Sequence, residues 1–485
     1  MNKKEEVITF FLNKGFLVNP SFVDNLNGDF DKETFLSSLY ELEVKPKILD
    51  NNIFELIEKK IKMPKDSYIQ VIKSYKEHLK KKEVQDFVNY FRSRYFFLKK
   101  LLLNRPELQD AISISKVWNK KERESISLIG LVAKKEYTKN NNISISLEDV
   151  TGTIQILINK NKQELYTLAK DLVLDEVIGI RGVVGNRIIF INNIYFPDVS
   201  INKDLKKCED DVYVAFTSDI HVGLYTFLAE DFLRFLNWLN GNTGDEKQKE
   251  LAKKVKYLFI VGDLVEGVGV YPNHEKDLII KDIYEQYEKF ASYLKLIPKH
   301  IKIILCGGNH DALRIAEPQP VLYKDIAAPL WDLPNVTITT NPALVKIHSS
   351  GDFSGFDVLI YHGFSLPYYA DNIESIRMSG RYEKIDEVMK FLLQRRHLAP
   401  TYTSTLYVPG GEDDPLLIDN VPDFFVTGHI HKVFALNHKN VSLICAGCWV
   451  TQTPYQERRG MKPEPSKVIL ASLKTREFKI LNFGK

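Results

Sequence analysis

At 485 residues the chain is too long for one core, and at about 150 residues per domain it has room for roughly three. With 44% hydrophobic and 27% charged residues it has the composition of a globular protein, which excludes a disordered or fibrous chain. A net charge of +3 is too small for a global field to gather nucleic acid, so any such binding has to come from local basic surface.

The start, MNKKEEVITFFLNKG, mixes acids and bases and has no small-residue cleavage site. No apolar run in the chain reaches the ~18 residues of a membrane span, so the expectation is a cytoplasmic protein with no membrane partner. Residues 1–80 read as a helical N-terminal domain, because EEVITFFLNKGFLV and KETFLSSLYELEV repeat apolar residues at three- and four-residue spacing around a turn at NPS. The pair Phe10–Phe11 has two readings, helix core or a sliding-clamp docking peptide, and helix core is preferred. Residues 81–115 form a helical linker: after the charged KSYKEHLKKKEV comes the amphipathic VQDFVNYFRSRYFFLKKLLLNRPEL, stopped at Arg105–Pro106.

Over residues 116–200 the period changes to that of strands. ISLIGLVAKKEY, NISISLEDVTGTIQILI, EVIGIRGVVGN and RIIFINNIYFPD are broken by Gly, Asn and Asp, with the helix-like KQELYTLAKDL between strands. This series resembles an OB-fold β-barrel. Few aromatics stand on its strands, so a structural role and DNA contact are both open. In residues 208–485 apolar strands alternate with helices, from VYVAFTSD through KYLFIVGD and HIKIILCGGNH to VTITTNPALVKI, FDVLIYHG, DFFVTGHI, VSLICAGC and VILASL. That order indicates an α/β domain with a parallel sheet under helices. Of the four cysteines, Cys445 and Cys448 form one C-x-x-C with no second pair, which reads as buried thiols in a strand and not as a zinc site.

Each of these strands ends in a polar cluster: Asp219 and His221 in SDIH, Asp263 in GD, Asn309, His310 and Asp311 in GGNHD, His362 in YHG, and His429 and His431 in GHIH. Residues two apart on an extended segment point to the same side, and sites of α/β sheets gather beyond the carboxyl ends of strands. Five of the 11 histidines fall in such places; the other six, His78, His274 and His438 among them, stand in charged or loop contexts and read as surface residues. Two aspartates, one asparagine and four histidines suffice for two divalent metals with one aspartate bridging. Such a pair clamps a phosphoryl group and supplies hydroxide at neutral pH. A lone G-D is usually a turn and a lone H-x-H often a strand pair; the whole ordered set is neither.

The ordered set D-x-H, G-D, G-N-H-D, H and G-H-x-H resembles the calcineurin-like metallophosphoesterase superfamily, whose domain is a β-sandwich flanked by helices. The stretches SDIHVGLYTFLAEDFLRFLNWLNG, GDLVEGVGVYPNHEKDL, GGNHDALRIAEPQP, FLLQRRHLAPTY, VPDFFVTGHIH and TQTPYQ…KPEP are similar to the small subunit of archaeal family-D DNA polymerase, as is FVNYFRSRYFFLKKLLLNR leading into the barrel. The likeness runs from about residue 84 onward. FSLPYYADNIESIR, after His362, matches least, but it removes no ligand position.

This resemblance implies a 3′→5′ exonuclease that proofreads DNA, acting on a 3′ end as partner of a large polymerising subunit. It implies one metal at Asp219, His221, Asp263 and His431, and a second at Asp263, Asn309, His362 and His429. Manganese is the first choice, with iron or magnesium after it. His310 would protonate the departing 3′-oxygen, and Asp311 would orient His310 or else cap a helix ALRIAE. Arg314 and His274 are candidate DNA contacts beside the site. LLQRRHLAP and QERRGMKPEPSK carry local positive charge for backbone phosphate, or for a solvated face or the large subunit. The competing readings are a free-standing repair nuclease or phosphatase and a catalytically silent scaffold. The barrel and helical front argue against a simple phosphatase, and the intact ligand set argues against the scaffold.

Overall fold

The computed structural model describes residues 3–24, 30, 32–40, 46–62, 69–76, 81–200, 203–351, 353–409 and 413–484. It divides into two compact units, Met1–Gln70 with Ile347–Gly355 and Val71–Lys346 with Phe356–Lys485.

In the first unit, helices Lys3–Asn13, Pro20–Asp24, Lys32–Tyr40 and Asn51–Lys62 close over phenylalanines supplied by their apolar faces. Phe11, Phe22 and Phe35 are fully buried, with ring centroids 5.4 to 5.8 Å apart in edge-to-face pairs. Phe11 is thus a core residue, which removes it from any clamp-docking peptide.

A strand, Ile69–Ser74, stands where helix was expected, and the second unit, which begins within it at Val71, continues with the helix Val84–Leu103, which stops before Pro106 because proline has no N–H to continue it. Tyr95, Leu98 and Leu102 of this helix pack against Leu108, Ile129, Val177 and Leu417. The five barrel strands Ser125–Tyr137, Ile143–Asp149, Gly152–Ile158, Val177–Val184 and Ile188–Tyr195, taken in chain order, pair as 1-2-3-5-4 and close on the first. Helix Gln163–Lys170 lies between the third and fourth, and alternate residues such as Ile145, Leu147, Ile154, Ile156 and Ile180 fill the interior. This is the OB topology.

The remainder is a sandwich of two six-stranded sheets. One runs Val336–Thr339, Lys302–Cys306, Val255–Val261, Tyr213–Thr217, Lys467–Ser472, Phe478–Asn482, and its first four strands are parallel. The other runs Val433–His438, Val441–Ala446, Phe424–Thr427, Phe356–Ile360, Ala343–Ile347, Ile69–Ser74. The sheets face each other through Phe216, whose ring lies 5.4 Å from that of Phe259 beside it and 5.8 Å from that of Phe424 in the facing sheet. The outer face of the first sheet is covered by helices Ala229–Leu239 and Ile283–Leu294, so its strands are apolar on both sides. The run VTITTNPALVKI, one strand by its pattern, is two: it turns at Asn341–Pro342 and passes from the first sheet to the second. No helix forms at ALRIAE.

Candidate metal centre

The strands Tyr213–Thr217, Val255–Val261 and Lys302–Cys306 are parallel neighbours, so the residues after their carboxyl ends emerge side by side. Phe356–Ile360 and Phe424–Thr427 of the facing sheet deliver His362, His429 and His431 to the same place. The loops are stitched together: Asp219 N donates to Gly262 O at 3.0 Å, His221 N to Asp263 O at 3.0 Å and Gly428 N to His362 O at 2.9 Å. His310 N donates to Asp263 Oδ1 at 2.9 Å, and His429 N to Asp219 Oδ2 at 2.9 Å.

Five of these residues hold left-handed backbones: Asp219 at φ 51°, His221 at 54°, Asp263 at 49°, His429 at 67° and His431 at 58°. Non-glycine residues adopt that region at a cost, and a concentration of it marks a site where side-chain direction is fixed by the surroundings. Glycines make room. A Cβ at Gly262 would lie 2.2 Å from His362 Nδ1, and one at Gly428 would lie 2.6 Å from Asp219 Oδ2.

Three clusters result among the described residues, one of them His221, Glu266 and His310, and the other two hold the expected ligands. The ligand atoms of Asp219, His221 and His431 lie within 4.8 Å of one another, as do those of Asp263, His362 and His429. Asp263 Oδ2 joins them, 3.8 Å from His221 Nε2 and 3.2 Å from His362 Nε2. His362 donates through Nδ1 to the carbonyl of Val261 at 2.9 Å, which turns its Nε2 toward Asp263 and toward Asn309 Oδ1 at 3.1 Å. Three lone-pair atoms therefore meet at one point, the donor set that suits a divalent cation.

Charge tells the same story. Burial opposes ionisation of Asp263, yet His362, His310 and His221 hold its carboxyl well below the ordinary range; burial likewise opposes protonation of His362, yet Asp263 raises it to about 9. The carboxylates, the Asn309 amide oxygen and the imidazole nitrogens together fit divalent metal.

His310 presents its ring edge-on to His221 at 4.8 Å, with Nδ1 donating to the carbonyl of Glu266 at 3.1 Å. Burial opposes its charge, but Asp263 and Glu266 raise it to about 10. The reading of Asp311 as the carboxylate that orients His310 is corrected. Its oxygens accept from the N–H groups of Gly308 at 2.8 Å and Leu264 at 3.2 Å and from Tyr287 Oη at 3.1 Å, so it braces the GD loop against the GGNH loop.

The partner of His310 is Glu266, which the sequence reading passed over. It is 2% exposed and accepts from His221 Nδ1 at 2.6 Å. His221, His310 and His274 outweigh burial and hold its carboxyl well below the usual range. Its only sequence signal was its place three residues after Asp263, inside an apolar loop.

His274 is no surface contact for DNA either, being fully buried against Glu266. Arg314 gives its guanidinium to the carbonyls of Ala316 and Pro318 in its own loop. Arg395 and Arg396 of the basic run are 4% and 5% exposed, since Arg395 pairs with Glu176 at 2.9 Å, and Arg396 bonds Ile418 O and Asp419 O. They offer no phosphate surface. Gln456, in the other basic run, places its amide 2.8 Å from His431 Nδ1.

Residues 212–433 match the family model described as calcineurin-like phosphoesterase, and residues 126–201 match that of the OB-fold nucleic acid binding domain. Fold and site thus define a calcineurin-like phosphoesterase carrying an OB-fold domain. A phosphoesterase domain of this class implies divalent metal ions, and the Asp/His clusters can hold them.

The DNA polymerase II small subunit of Methanothermobacter thermautotrophicus is 38% identical over 386 residues, covering 80% of this chain and 77% of the relative. That of Archaeoglobus fulgidus is 40% identical over 385 residues (79% and 74%), and that of Thermoplasma acidophilum 33% over 489 aligned positions (99% and 93%). Some relatives are longer: the chain spans 64% of the Pyrococcus furiosus protein, at 36% identity. The chain belongs to the DNA polymerase II small subunit family. Among solved structures, asparaginyl-tRNA synthetase from Pyrococcus horikoshii is similar over 17% of this chain and 21% of its own, with 18% identity and a TM-score of 0.16, too little to add to the argument. No helix among the described residues is long and apolar enough to cross a membrane.

Proposed function

We propose that this chain is the metal-dependent 3′→5′ exonuclease subunit of a two-subunit DNA polymerase, removing terminal nucleotides from DNA during replication while supporting a large polymerising subunit. One observation carries the reading: Asp263 Oδ2 stands between two Asp/His clusters, 3.8 Å from His221 Nε2 and 3.2 Å from His362 Nε2. Asp219, His221, Asp263 and His431 would hold one cation, and Asp263, Asn309, His362 and His429 the other. Manganese is first for this mixed carboxylate, amide and imidazole set. Such a pair, when bound, neutralises phosphoryl charge and lowers the pKa of water.

The chain's own groups do the rest. His310 is held through Nδ1, which leaves Nε2 to face substrate. As water adds to the terminal phosphorus and the bond to the 3′-oxygen breaks, Nε2 gives its proton to that oxygen. Glu266 keeps the ring aligned and its charge favourable. The barrel beside the phosphoesterase, of the class described as nucleic acid binding, supports a DNA substrate.

The test is to purify the chain with and without its large subunit and follow release of mononucleotides from a mismatched 3′ end in manganese. Release that stops on chelation and returns with manganese is the expected result; co-purification without any release would leave only a scaffold.

A further inference from the structure

We infer that His274 is a positioning residue which, by clamping Glu266, sets the tautomer of His221 and so turns the Nε2 lone pair of His221 toward the metal clusters. The inference rests on the metal-centre reading above and adds to it a residue that touches no ligand atom.

With Glu266 ionised and both rings neutral, the hydrogen bonds allow one arrangement of protons. The backbone N–H of Val270 donates to His274 Nδ1 at 3.2 Å. An N–H can only donate, so Nδ1 carries the lone pair and the ring proton sits on Nε2. That Nε2–H lies 2.9 Å from Glu266 Oε1 and donates to it. The other carboxylate oxygen, Oε2, lies 2.6 Å from His221 Nδ1, which must supply the proton there. What remains on His221 is the Nε2 lone pair, and Nε2 is the atom that faces Asp219 at 3.9 Å, Asp263 at 3.8 Å and His431 Nε2 at 3.3 Å. A carboxylate behind a ligand histidine fixes ring and tautomer in this way. Here a second histidine, in turn, holds the carboxylate.

The surroundings leave Glu266 little freedom to do otherwise. Gln286, fully buried, accepts from Gly267 N at 2.8 Å and donates to Gly267 O at 3.1 Å, which pins the backbone next to Glu266. A Cβ at Gly267 would lie 2.2 Å from His310 O, so the loop runs hard against the GGNH turn. The ring of Tyr271 lies over His274 at 4.3 Å and closes the outer side. His274 itself is 0% exposed. With its backbone fixed, Glu266 can still rotate its carboxylate, and of the two rings that reach Oε1 the Nε2–H of His274 is the nearer, at 2.9 Å against 3.3 Å for His310 Nδ1.

The experiment uses the full chain and manganese alone as probe. In the unaltered protein, long-range proton–nitrogen NMR of labelled histidines, each ring assigned through its own backbone, should show His274 protonated on Nε2 and His221 on Nδ1. The opposite tautomer at either ring overturns the inference, and this arm stands even if a variant fails to fold. In the binding arm, His274→Phe keeps the ring and loses the donor. Manganese affinity should fall about tenfold, the lower end of the range for a group behind a ligand. His274→Gln, whose amide N–H can reach Glu266, should recover most of it. Combined with Glu266→Ala, His274→Phe should add nothing further. Wild-type affinity in a folded His274→Phe protein, or a loss that adds fully to that of Glu266→Ala, sinks the inference. If the unaltered chain neither binds manganese nor releases nucleotides, the metal-centre reading fails instead, and the tautomers still decide the relay.

Discussion

Two buried polar knots in the same unit are built on opposite plans. Around Asp414 the charge is balanced from within: Arg94 Nε lies 2.9 Å away, both side chains are fully buried, His397 Nε2 donates to the same oxygen at 2.7 Å, and Arg94 also serves Tyr90 and the carbonyl of Pro400. Around Asp219 and Asp263 the described partners are imidazoles, backbone N–H groups and the Ser218 hydroxyl, with no guanidinium or ammonium among them. The first knot is complete as a protein structure. The second concentrates lone pairs and left-handed backbone at one point, an arrangement with physical sense when a cation is part of the design.

Breaking each knot should therefore have different consequences. The largest effect on activity is expected for Asp263→Ala: mononucleotide release falls to background, and bound manganese, measured by elemental analysis, falls with it. His310→Ala should lower the rate by about 10²–10⁴-fold while manganese content stays near wild type; loss of metal in that variant would reassign His310 as a ligand. Arg94→Ala should do the reverse. It leaves Asp414 buried without its cation and should cost about 3–5 kcal/mol in denaturant unfolding, with little change in turnover per folded molecule.

The smallest effect sharpens the comparison through pH. Burial and Arg94 push His397 down from 6.5 to about 4. Between those values the unfolded chain takes a proton that the folded chain refuses, so stability is full above pH 6.5 and is lost as pH falls through 4, by up to about 3 kcal/mol. Asp414, held at about 2 by His397 and Arg94 against its burial, extends the loss below the ordinary value of 3.8. Unfolding curves from pH 7 to 4 should show this slope, and His397→Gln should flatten it.

The architecture was readable because its signals are local. The change of period at the barrel, the β-α-β-α-β order and the polar strand tips are all written within a few residues of one another. The convergence of Asp219, Asp263, His362 and His431 was legible for the same reason, since parallel strands must bring their ends together.

What escaped depends on partners far along the chain. Arg395 looks solvated until Glu176, from the barrel, is found beside it. His274 looks like a loop residue until the loop folds back on Glu266. Asp311 sits next to His310 in sequence, yet backbone N–H groups from two loops claim its oxygens. VTITTNPALVKI reads as one strand because alternation does not record a change of sheet.

The helix Val84–Leu103 has one more consequence. Arg94 reaches the carbonyl of Asp175, between barrel strands, as well as Pro400 O and Asp414 of the phosphoesterase, so a single rod is riveted to both bodies. With the Arg395–Glu176 ion pair and the Thr401 hydroxyl on Leu174 O across the same seam, it keeps the barrel at one fixed offset from the Asp/His clusters.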